Sequence, residues 1–65
     1  MDRKRIARNL ILLRGEKSRE EVAKVVGIST SALAMYETGG RVPRDEIKMA
    51  LANYYGKSVS EIFFG

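Results

Sequence analysis

Apolar residues recur every three or four positions along this chain, and no run alternates them with polar residues at every second position. Ile6, Leu10 and Leu13 make the first stripe, Val22 and Val26 the second, and Leu33 and Tyr36 the third. Ile47, Leu51, Tyr54 and Tyr55 make the fourth, and Val59, Ile62 and Phe63 close the core from the C-terminal end. The punctuation between stripes is helical. Ser18-Arg19-Glu20-Glu21 and Ser58-Val59-Ser60-Glu61 have the form of a capping box, a hydroxyl followed three residues later by a carboxylate. Gly27 and Gly56 stand where a helix ends in left-handed backbone, Ser29 is placed to cap a third helix, and Pro43 to open a fourth in its first turn. These patterns predict an all-α chain with helices at about 3–14, 19–26, 30–38, 44–55 and 59–63.

The second and third predicted helices are short and are joined by only Gly27-Ile28-Ser29, so they must cross steeply, as in a helix-turn-helix. Such a crossing needs a small residue where the helices touch, and Ala23 supplies it. It also needs a turn residue free to take positive φ, which is Gly27. Val22, Ile28, Leu33 and Tyr36 provide the apolar contacts. Together these requirements place a helix-turn-helix at about 18–38.

Composition narrows the partner. The 65 residues make one domain, with neither cysteine nor histidine, so disulfide bonding is out and metal ligation is poorly served. No catalytic residue, cofactor, metal or small-molecule ligand is expected, since the carboxylates near helix starts are explained by capping. The apolar stretch after Arg3, Lys4 and Arg5 is too short for a membrane span or a signal peptide, and a cytoplasmic protein with no membrane partner is expected. Net charge is +4, unevenly spread. Residues 1–19 carry seven basic side chains against two acidic, and residues 20–65 five against six. A basic end of this kind suits an anionic partner such as nucleic acid.

The chain resembles the lambda-repressor and Cro-like helix-turn-helix family, also called the xenobiotic-response-element family. The resemblance runs from Leu13-Arg14 to Ile62-Phe63. It is carried by Ser18-Arg19-Glu20-Glu21-Val22-Ala23, Gly27-Ile28-Ser29 with Leu33, Tyr36-Glu37-Thr38-Gly39, Pro43, and Gly56 through Phe63. It implies a compact five-helix lambda-repressor-like DNA-binding domain over 1–65. Its function would be that of a transcriptional regulator, usually a repressor, binding double-stranded DNA and often two operator half-sites as a homodimer.

Helical spacing puts Leu33, Tyr36, Ala32 and Gly40 on one side of the third helix and Ser31, Ala34, Met35 and Thr38 on the other, with Thr30 at the edge. In a helix-turn-helix the outer face near the start of the second helix meets base edges. Thr30, Ser31, Ala34 and Met35 are therefore the base-reading candidates, as the resemblance also implies. Their chemistry is modest: hydroxyls discriminate poorly, and Met35 and Ala34 suit a thymine methyl. Phosphate-binding candidates are Arg19, where the family commonly has glutamine, and Thr38, Gly39, Gly40 and Arg41, whose small residues would let main-chain N–H groups approach a strand. The resemblance further implies a structural ion pair between Arg14 and Glu37.

Three features depart from the family pattern. The Gly15-Glu16-Lys17 connection is about two residues short of the commonest form. Asp45 and Lys48 stand at helix positions often apolar in relatives, which leaves Ile47 and Leu51 to define the buried face. Ile11 and Leu12 fall off the first stripe and, with Phe64, are candidates for a subunit interface. The competing reading is an antitoxin-like or adaptor module that keeps the fold but binds another protein, favoured by the uncharged outer face of the third helix.

Overall fold

Helix α1 (Arg3–Arg14) starts where the Asp2 carboxylate accepts the amide N–H groups of Lys4 and Arg5 at 3.0 and 3.3 Å. Such a side-chain cap satisfies donors that the first helical turn leaves free. The computed structural model describes residues 2–64, which form α1, α2 (Arg19–Val26), α3 (Thr30–Thr38), α4 (Asp45–Tyr55) and a C-terminal helix α5 (Ser60–Phe64), with no strand among them.

The predicted caps behave as their chemistry requires, with two differences. Ser18 and Ser29 each accept the amide three residues on, from Glu21 at 3.1 Å and from Ala32 at 3.0 Å. The capping box at Ser58 is reciprocal: Glu61 N–H donates to Ser58 Oγ at 3.0 Å and Ser58 N–H to Glu61 Oε1 at 2.9 Å. The Ser58 N–H first, then the Ser58 hydroxyl, hold the Glu61 carboxyl below the usual carboxylate range. Pro43, in contrast, does not open α4. It precedes the N-cap residue Arg44, and its ring is buried, so it packs instead of occupying the first turn. The last helix follows a helical residue at 59, its expected start, but over Ser60–Phe64 it is wound as a π turn.

Ile6, Leu10, Val22, Ala23, Leu33, Tyr36, Leu51, Ala52, Ile62 and Phe63 form one core to which every helix contributes. A side-chain bond from Asn9 Nδ2 to the Ile62 carbonyl, 2.9 Å, ties α5 to α1. The buried face of α4 differs from its predicted one. Lys48 is buried while Ile47 is only half-buried, because the lysine stem lies over apolar surface. Its ammonium sits 6.0 and 5.1 Å from the ring centroids of Phe63 and Phe64 and 3.6 Å from the Asp45 carboxylate. A cation over two aromatic faces replaces the expected apolar contact. Ile11, Leu12 and Phe64 are exposed.

Tyr55 carries the one buried side-chain polar atom without a hydrogen-bond partner among the described residues, its hydroxyl oxygen. Burial first, then the Glu37 charge, pushes its pKa up to about 12. An unfolded tyrosine ionises near 10, so between about pH 10 and 12 the unfolded chain binds fewer protons and stability falls as pH rises. Tyr55→Phe is expected to be neutral or stabilising by about 1 kcal/mol at pH 7, since it removes a desolvated hydroxyl. It should also lose less stability than the wild type over pH 10–12, the difference being on the order of 1–2 kcal/mol for this half-buried group. Denaturant titrations at pH 7, 10 and 11.5 check both; a Tyr55→Phe loss above 1 kcal/mol at pH 7 would show that the hydroxyl is bonded.

Candidate nucleic-acid interface

Helices α2 and α3 meet across Gly27-Ile28-Ser29. Gly27 takes φ +85°, and its N–H and that of Ile28 both donate to the Ala23 carbonyl, at 2.9 and 3.0 Å. A side chain at Gly27 would meet no neighbour within 4 Å, so backbone conformation alone requires glycine there. Ala23 and Leu33 are buried at the crossing. The turn therefore fixes which side of α3 faces outward.

On that outward side Thr30, Ser31, Met35 and Thr38 are exposed, and Ala34 is half-buried. Ala34 thus offers less surface than the face assignment implies. Ala32 is only half-buried, and Gly40 is exposed beyond the end of α3 instead of lying with Leu33 and Tyr36. Met35 is 44 % exposed. Its terminal methyl lies where a side chain on Gly40 would stand, only 2.9 Å from an ideal Cβ there.

The loop after α3 differs from its predicted use. The N–H groups of Gly40 and Arg41 donate to the Met35 carbonyl at 3.0 and 3.3 Å, Gly39 N–H donates to Tyr36 at 3.4 Å, and Thr38 Oγ1 donates to Met35 at 3.3 Å. These groups close the helix end and are not free amides. Helix-end carbonyls need donors, and the nearest ones are taken first. What remains for an anion is the exposed Arg41 side chain. Gly39, at φ +82°, packs against the Arg3 backbone, its ideal Cβ being 3.6 Å from the Arg3 carbonyl oxygen. The basic start of α1 is thereby brought beside the end of α3.

Behind this surface lies Glu37, 2 % exposed. Its Oε2 accepts from Arg14 Nε and its Oε1 from Arg19 Nε, each at 2.8 Å. Arg14 Nη1 donates in addition to the Lys17 carbonyl at 2.7 Å. The hydrogen bond to Glu37 holds the Arg14 guanidinium above its ordinary pKa, against the opposing effect of burial. One carboxylate on α3 thus ties together the end of α1 and the start of α2. The Arg19 side chain is 39 % exposed, and its terminal nitrogens have no partner among the described residues.

The family model described as helix-turn-helix matches residues 4–62, almost the whole chain. The chain belongs to the lambda-repressor/Cro-like helix-turn-helix family. No curated protein and no solved structure matches it. Membership makes it a DNA-binding helix-turn-helix regulator. No helix among the described residues is long and apolar enough to cross a membrane.

Within this lambda-repressor/Cro-like domain, Thr30, Ser31 and Met35 come together on one exposed strip, with Arg19 and Arg41 on the segments that flank α3 in the chain. Two features escape a reading of residues alone. Arg19 is half committed to Glu37, and Arg3 lies beside the α3 end. Charge asymmetry pointed to the N-terminal segment without saying where it lands; nothing in sequence spacing pairs residues 19 and 37.

Proposed function

We propose that this protein is a sequence-specific transcriptional repressor. It binds operator half-sites in double-stranded DNA through α3 in the major groove, acts in the cytoplasm as a single domain over 1–65, and pairs as a homodimer at least on DNA. The observation that carries this is the exposed, uncharged strip of Thr30, Ser31 and Met35 on the second helix of the helix-turn-helix, where such domains meet base edges. Ala34 contributes a smaller apolar contact. Arg19, Arg41 and the basic start of α1 supply phosphate contacts; Thr38 and Gly40 act by shaping the loop that presents Arg41. No catalytic step, cofactor or small-molecule ligand enters.

Hydroxyls and a thioether give few bidentate base contacts, so specificity rests partly on DNA shape and on half-site spacing. Selection from random duplex DNA is expected to return short, loosely defined half-sites about 34–36 Å apart centre to centre. A long, sharply defined half-site would overturn the shape component, and failure to enrich any duplex would overturn the function. The uncharged α3 face also fits an antitoxin-like or adaptor module; tight partner binding with weak, salt-insensitive DNA affinity would favour it.

Arg41→Ala is expected to weaken binding to all duplexes several-fold, and to reduce the salt slope by about one ion. Titrations at three salt concentrations on selected and scrambled DNA check this. An unchanged slope removes Arg41 from the interface.

A further inference from the structure

We propose that Glu37 is a positioning residue for DNA binding: by taking Nε of Arg19, it turns the remaining edge of that guanidinium outward as a preset phosphate clamp at the start of α2. This rests on the binding of duplex DNA and adds the residue that aims one of its contacts.

The two arginines on Glu37 differ in what they have left. Arg14 is spent on partners within the chain, with Nε on Glu37 and Nη1 on the Lys17 carbonyl, and its side chain is 18 % exposed. Arg19 uses Nε alone, at 2.8 Å from Oε1, and is 39 % exposed. A guanidinium is planar, so fixing Nε against a buried carboxylate fixes the plane and the direction of both terminal nitrogens. Those nitrogens belong to the first residue of α2, whose first turn also carries the exposed Glu20 and Glu21, so it is the guanidinium and not the helix end that must attract the phosphate. The carboxylate that holds Arg19 is itself fully enclosed, so it cannot swing out with the arginine. The rotamer entropy that a free surface arginine loses on meeting a phosphate is already lost here. A lysine in the same place has one nitrogen, and the buried carboxylate competes for it.

Arg19→Lys separates charge from geometry. With duplex from the selection above, near 0.1 M salt, Arg19→Lys and Arg19→Ala are expected to bind equally weakly, about five- to tenfold below the wild type. Both should show a salt slope lower by about one ion. Glu37→Gln, measured at a temperature where circular dichroism shows it folded, is expected to lower the slope equally in the Arg19 protein and to add nothing in the Arg19→Ala background. A wild-type slope in Arg19→Lys means that any positive charge suffices, and overturns the positioning role; that variant keeps Glu37 and the fold. Equal effects of Glu37→Gln with and without Arg19 also overturn it. A wild-type protein that binds no duplex at any salt overturns the function itself, and the clamp with it.

Discussion

Glu37→Gln is expected to lose about 2–4 kcal/mol of folding stability, a large share of what a domain of this size possesses. Removing one member of a buried ion pair commonly costs about 3–5 kcal/mol, because the partner charge is left in a poorly hydrated site. Two arginines are stranded here. Each keeps some access to water, at 18 % and 39 % side-chain exposure, which lowers the expected cost. Glutamine retains one oxygen acceptor and turns an amide donor toward the other guanidinium, so one bond is lost outright. The contact also links α1, α2 and α3, and its loss weakens three elements together. At about 4–8 °C per kcal/mol, the midpoint should fall by at least about 8 °C, with the exposed Glu20→Gln as the control. A midpoint within about 2 °C of the wild type would mean that the arginines rehydrate without loss.

Ser31→Glu should leave stability intact while weakening DNA binding strongly. Ser31 is the second residue of α3 and is exposed. An acidic group in the first turn interacts favourably with the helix dipole, by about 0.3–1 kcal/mol, so the fold does not suffer. Placed in a major groove, the same carboxylate faces the phosphate field and brings no hydrogen donor to purine acceptors. A fall of about 100-fold on every duplex is expected, about 2.7 kcal/mol of binding free energy. Wild-type DNA affinity in a folded Ser31→Glu protein would place α3 outside the groove and favour the protein-interaction reading. Run together, the two variants differ in stability: Glu37→Gln loses it along with the Arg19 contact, and Ser31→Glu keeps it while losing DNA.

Much of this was legible in the chain because it depends on neighbours in sequence. Helical spacing, Ser18, Ser29 and Ser58 as caps, and Gly27 and Gly56 as left-handed ends are local matters, and the helices fall within a residue of their expected bounds. The family followed from the same short-range features. At α4 distant neighbours decide instead. A lysine reads as surface by type, yet Lys48 is buried because Phe63 and Phe64, fifteen and sixteen residues on, present their ring faces to it. Pro43 likewise reads as a helix opener, and packing placed it before the helix.

By itself, the sequence determined that the chain is helical, where the helices start and stop, and that α2 and α3 form a helix-turn-helix whose outer strip carries Thr30, Ser31 and Met35. Only the tertiary structure decided what the charged groups around that strip are free to do. It enclosed Glu37 and added Arg19 to its expected partner Arg14, used the amides after α3 to finish the helix, and set the start of α1 beside Gly39. The division has a physical reason. Caps and periodicity depend on backbone bonds a few residues long, whereas the partner of a charge depends on which distant group burial brings within hydrogen-bonding distance.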